Sequence, residues 1–97
     1  MRTLRNIHPG EVLKEEFLEP MGISVYRLSK ETGLSQTRIS QIVKGERSIT
    51  AETALKLGKF FDVPPEFWMN LQALYDIEEA QKRYKKDIES IHTFSDS

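Results

Sequence analysis

Between Ser24 and Gly45 the chain reads SVYRLSKETGLSQTRISQIVKG, and few architectures accommodate that run. Ser24 and Ser35 are typical helix starters, because a serine oxygen accepts an amide that the first turn leaves unpaired. Gly33 falls where the first of two helices must end, at a position that wants left-handed backbone. Ser29 is small enough to let a second helix approach the first. Leu34 plugs the turn. Ile39, Ile42 and Val43 then recur at three- and four-residue spacing and give the second helix one apolar side. Its remaining surface is polar. The run predicts two short helices joined by a tight turn, the second packed on a core by one face and offering the other to a DNA groove.

The flanking sequence is helical by the same criteria. His8-Pro9-Gly10-Glu11 looks like a helix start, with proline tolerated in the first turn. Val12, Leu13, Phe17 and Leu18 make an apolar side that runs to about Glu19, and Pro20 and Gly22 stop it. In the next helix, from Ser24, Tyr26 and Leu28 supply the apolar contacts. Gly45 ends the helix that begins at Gln36. Thr50 caps a fourth helix over 51–61, packed through Ala54, Leu55, Leu57, Phe60 and Phe61. After the break Asp62-Val63-Pro64-Pro65, Pro65 opens a fifth. Phe67, Leu71, Leu74, Ile77, Ala80, Tyr84, Ile88 and Ile91 recur every three or four residues with no proline or glycine between them. That stripe predicts a helix reaching about Ile91, roughly 40 Å long at 1.5 Å per residue. The expectation is an all-α fold of five helices without strands, with a helix-turn-helix domain over residues 1–78 and a helical extension with a frayed tail over 79–97.

Ninety-seven residues suit one domain with one modest core. The absence of cysteine excludes a disulfide framework and a zinc-finger cysteine set. No apolar run approaches the roughly 18 residues that span a bilayer, and no signal-peptide core is visible, so a soluble, cytoplasmic protein without membrane contact is expected. A net charge of −1 by itself argues against nucleic acid. Its distribution argues the other way. Residues 23–50 carry a balance of +3, with Arg27, Lys30, Arg38, Lys44 and Arg47 against Glu31 and Glu46, while residues 51–97 carry −3. Phosphate meets the local field, not the overall charge.

In this reading Gln36, Thr37, Arg38, Ser40, Gln41 and Lys44 point away from the core. Gln36, Thr37 and Gln41 are best placed for base edges, since glutamine pairs with adenine through two bonds and a threonine methyl meets a thymine methyl. Arg38 suits either guanine or phosphate. Lys44 and Arg47, near or beyond the helix end, suit phosphate, which positions without specifying. Ser24 and Ser35 offer hydroxyl and amide donors to phosphate at helix N-termini. Arg2 and Arg5 form either a basic arm along a groove or a disordered terminus. The competing description is a small helical bundle whose polar face is only solvated.

Beyond these local features, several runs resemble the signature of HigA-type antitoxins, in the Xre/Cro-like, lambda-repressor-like helix-turn-helix class. They are His8-Pro9-Gly10-Glu11, Glu15-Glu16-Phe17-Leu18-Glu19-Pro20 and Gly22-Ile23-Ser24. The likeness continues through Leu28, Gly33-Leu34-Ser35, Arg38-Ile39-Ser40, Ile42, Gly45, Arg47, Ile49-Thr50 and Ala54, and ends with Phe67-Trp68, Leu71-Gln72 and Tyr75-Asp76. It covers about residues 7–80. The resemblance implies a dimeric repressor of its own operon that also binds and silences a RelE-like mRNA endonuclease toxin. It implies that the polar residues from Gln36 to Lys44 are the recognition face, and that Phe67, Trp68 and Leu71 lie where dimer contacts form. Ser29 departs from the alanine usual in the family, and residues 81–97 extend beyond the signature. Some relatives are orphan regulators without a toxin.

The long stripe gives its own reason to expect a homodimer, because Leu74, Ile77, Tyr84, Ile88 and Ile91 exceed what one small core covers. Pairing two such helices would set two reading heads about 34 Å apart, one turn of DNA. Alternatively the stripe folds back on the first helix, or residues beyond Ala80 are loosely ordered. The acids Asp76, Glu78, Glu79, Asp87 and Glu89, or Glu11, Glu15, Glu16 and Glu19 of the first helix, could meet a basic toxin. A solvated helix face is the plainer reading. An enzyme is not expected. His8 and His92 lack metal-site spacing, the adjacent glutamates diverge on a helix, and no phosphate loop or nucleophile elbow appears, so no catalytic residue, cofactor or metal is assigned. The rivals to a toxin-linked repressor are an orphan regulator and a protein-binding module that keeps its helix-turn-helix as scaffold.

Overall fold

Side-chain caps set most helix starts in the computed structural model, which describes residues 5–95. His8 opens the first helix with a reciprocal pair of bonds. Its Nδ1 accepts the Gly10 amide at 2.9 Å, and the Glu11 carboxylate accepts the His8 amide at 3.4 Å. Ser24, Ser35 and Thr50 each accept the amide three residues on, from Arg27, Arg38 and Thr53. Pro65 occupies the first turn of the fifth helix, where its missing N–H is no loss.

Six helices and no strands are found among the described residues. α1 is one continuous helix in three windings: Pro9–Val12, a π-helical segment Leu13–Leu18, and a last α turn Glu19–Met21. It therefore passes the expected end at Glu19. The π winding gives the Pro20 ring room that a regular turn would deny it, and Gly22 in left-handed backbone closes the helix. α2 is Val25–Thr32, α3 Gln36–Val43, α4 Ala51–Phe61, α5 Pro65–Arg83 and α6 Lys85–Glu89.

The fifth helix is shorter than its apolar stripe predicts. It ends at Arg83, where Tyr84 leaves helical geometry at φ −109° and ψ 23°, and five more helical residues follow. Neither proline nor glycine causes the break. Every described residue from Glu79 onward is exposed. Short helices hold mainly through packing, and here there is none to oppose a kink. Because α5 and α6 run past the core, the molecule measures 57 Å by 30 by 24 Å.

The core joins Leu13 and Leu18 of α1, Leu28 of α2, Ile39 and Ile42 of α3, Ala54 and Leu57 of α4, and Trp68 of α5, with Leu34 and Ile49 from the connections. Phe17 lies 5.1 Å from the Trp68 ring, and Phe61 lies 4.8 Å from Phe17. Tyr26 and Leu55 do not join them, contrary to the helix-face reading. Both are 60% exposed, since each sits one residue, about 100° of helix, from the neighbour that packs. Val25 and Leu28 face inward on α2, and Ala54 and Leu57 on α4. Arg5 is not a free arm either. Both of its terminal nitrogens lie 2.6 Å from the Glu11 carboxylate, and Asn6 donates to the Tyr75 carbonyl on α5 at 2.8 Å. Arg2 lies outside the described residues.

Candidate nucleic-acid interface

The α2–α3 turn is closed by one residue that its sequence pattern did not single out. The Thr32 hydroxyl donates to the Leu28 carbonyl at 2.6 Å and accepts the Leu34 amide at 3.2 Å. Between these bonds Gly33 takes φ +80° and its amide reaches the Ser29 carbonyl at 2.8 Å. Leu34 is buried beneath the turn. Ser29 is half-buried in α2.

Ile39 and Ile42, both buried, fix the roll of α3. Its far end closes with two reversed bonds, Gly45 amide to Ile42 carbonyl at 2.9 Å and Glu46 amide to Gln41 carbonyl at 2.8 Å. That end also meets α1 backbone to backbone. A Cβ on Gly10 would stand 1.7 Å from the Ile42 carbonyl oxygen, so no larger residue fits. His8 lies in the same joint, buried, its ring edge-on to Tyr75 at a centroid distance of 4.8 Å. Burial pushes the His8 imidazole below its ordinary value, against the opposite pull of Glu11 and Asp76. α3, α1 and α5 therefore meet at one histidine.

With the roll fixed, Gln36, Thr37 and Lys44 are exposed, and Arg38, Ser40 and Gln41 are half-buried at the flanks. Ser24 and Ser35 are exposed at the starts of α2 and α3. Each oxygen accepts a backbone amide at 3.0 Å, which leaves the hydroxyl hydrogen for an outside acceptor. Two of the basic side chains are already engaged. Arg47 donates to the Gln41 side-chain oxygen at 2.9 Å. Arg38 donates to Glu52, two residues into α4, at 3.2 Å, and Glu52 also holds Lys56 at 2.8 Å. Those bonds, from Lys56 first and Arg38 second, hold the Glu52 carboxyl below the usual carboxylate range. Glu52 had no place in the sequence-derived site, because nothing in a linear pattern pairs positions fourteen apart across a turn.

Other expected positions separate by burial. Trp68 is 0% exposed, so it is a core residue and presents no surface for a second chain. Leu71 is half-buried against that core. Phe67, Leu74, Ile77, Tyr84 and Ile88 are exposed along α5 and α6. Among the acids, Glu78 and Glu79 face Lys82 at 3.5 and 4.0 Å. Glu11 holds Arg5, and Glu19 lies 3.7 Å from Lys14. No group of His, Asp and Glu suited to a metal ion is assembled among the described residues, and no helix is long and apolar enough to cross a membrane.

Comparison with known proteins places this arrangement. The helix-turn-helix family model matches residues 14–68. The chain is 37% identical over 83 residues to antitoxin HigA-1 of Vibrio cholerae, covering 86% of this chain and 78% of that protein. Among solved structures, an addiction module antidote protein of the HigA family from Coxiella burnetii matches with a TM-score of 0.88 at 46% identity, over 94% of this chain and all of that one. Pseudomonas aeruginosa antitoxin HigA, solved with the higBA promoter, matches with a TM-score of 0.89 at 38% identity and the same coverage.

Proposed function

Since the chain belongs to the HigA family of antitoxins, with an Xre-like helix-turn-helix, we propose that it binds the promoter of its own operon as a dimer, reads it with α3, and silences a RelE-like mRNA endonuclease. One observation carries the DNA reading: Gln36 and Thr37 stand exposed on the N-terminal turn of a helix whose angle two buried isoleucines fix. That is the end of a recognition helix that meets base edges. Arg38, Gln41 and Ser40 flank it, while Lys44, Arg47 and the Ser24 and Ser35 hydroxyls lie where phosphates would pass. A relative at 38% identity, solved with promoter DNA, supports DNA binding by this chain. The exposed row Leu74, Ile77, Tyr84 and Ile88, with Phe67 and Leu71 beside it, supplies the dimer surface, and residues 79–97 act as an extension separate from the domain over 1–78.

The antidote role rests on family membership. Fluorescence anisotropy against duplex from the protein's own promoter, beside a shuffled duplex, tests the regulator role at two salt concentrations. Tight, sequence-selective binding that weakens steeply with salt is expected, because each phosphate contact releases counterions. Equal affinity for both duplexes would overturn it. Co-expression with the product of the neighbouring reading frame tests the antidote role, through recovery of growth and co-purification. The Arg38→Ala variant is expected to lose most of its preference for the operator over shuffled duplex and keep toxin neutralisation.

A further inference from the structure

Among the described residues the only side-chain partner of Arg38 is Glu52. Its backbone amide is held by the Ser35 oxygen at 3.0 Å. Both ends of the residue are thus anchored, the amide by the helix cap and one guanidinium nitrogen by a carboxylate on the following helix. The second terminal nitrogen and Nε have no partner among the described residues, and they remain as donors. A guanidinium loses most of its advantage in base recognition when its long stem is free to wander, and gains it when the fork is held before contact. Glu52 stands opposite α3 and carries a negative charge beside a surface that meets a polyanion. Lys56, 2.8 Å away, shares that charge.

We propose that Glu52 is a specificity-determining positioning residue. It holds Arg38 in reading geometry and cancels the part of the Arg38 and Lys56 charge that would otherwise attach to phosphate of any sequence. The inference rests on α3 being the DNA-reading helix. A free Arg38 would swing to the nearest phosphate, where contacts position but do not specify. The carboxylate keeps it from doing so and discounts non-specific binding in the same stroke.

The experiment compares the full-length protein with Glu52→Gln, Arg38→Ala and the double variant. Each is titrated with own-promoter and shuffled duplex across a salt series, with thermal unfolding as the check on folding. Glu52→Gln keeps the shape and removes the charge. It is expected to bind the shuffled duplex more tightly, to steepen the log–log salt dependence by about one unit, and to lower the promoter-to-shuffled affinity ratio about tenfold. In the Arg38→Ala background the same substitution should leave the ratio unchanged, because the residue it positions is gone. A ratio in Glu52→Gln equal to that of the parent protein would overturn the proposal. So would equal weakening on both duplexes, which a merely structural role for Glu52 predicts. Should Glu52→Gln prove too unstable to titrate, Glu52→Asp carries the same test. Its shortened reach should lower the ratio part of the way while the salt dependence stays that of the parent, and an unchanged ratio would again overturn the proposal. A parent protein that does not distinguish the two duplexes would instead refute the DNA-reading role itself.

Discussion

Gly10 and His8 show how much of the position of α3 depends on single atoms far from it in sequence. Gly10 is required by space alone, since its α-carbon faces the Ile42 carbonyl with no room for a Cβ. Gly10→Ala should force α1 and α3 apart and cost about 1–3 kcal/mol of stability, the usual penalty for overpacking, as measured by urea unfolding. His8 works through its lone pair, which accepts the Gly10 amide and is lost on protonation. The imidazole is held below its ordinary value in the fold, so the unfolded chain binds a proton first as pH falls. This contribution to stability should therefore be complete above about 6.5 and decline as pH drops from there toward the lower folded value. Denaturation series between pH 7.5 and 5 on the parent and on His8→Asn, which keeps a capping oxygen, should show this slope only in the parent. An equal slope in both would assign it to another group. The Gly10 contact is invisible in the linear pattern, where HPGE reads as a helix start and nothing more.

At the scale of elements, what was legible and what was not divides along the source of each helix's stability. The starts at Ser24, Ser35 and Thr50 follow from cap bonds that span three residues, the start at Pro65 from a fixed φ and a missing N–H, and the left-handed Gly33 from turn geometry. Periodicity correctly chose Ile39 and Ile42. It failed at Tyr26 and Leu55 because a helix one residue out of register still shows a plausible apolar side. It failed again beyond Arg83, where the stripe continues but the core does not. If α6 hangs outside the folded core, a chain ending at Arg83 should keep its melting temperature within about 2 °C of the full chain, since exposed segments contribute little to the cooperative unit. A drop of ten degrees would show that α6 packs in a way its exposure does not suggest.

For the whole molecule, the elongated shape separates the helix-turn-helix end from an apolar shaft. Leu74 is 66% and Ile77 54% exposed on that shaft, unusual for side chains of their kind in a core-forming helix. The double variant Leu74→Glu with Ile77→Glu should keep its helical content, halve its mass by sedimentation equilibrium, and weaken promoter binding by about 100-fold, the loss expected when two linked half-site contacts become independent. An unchanged mass would place the dimer surface elsewhere.

Local chemistry thus determined the fold class, the order of the helices, the capped starts and the polar face of α3, because each depends on contacts within a few residues. Only the tertiary structure decided that Trp68 belongs to the core, that Arg5 is tied to Glu11, that α5 stops at Arg83, and that Arg38 answers to Glu52. Those outcomes depend on how distant segments meet. A side chain's burial and partner are settled by which surfaces pack together, and no spacing along one helix encodes the face that its neighbour will cover.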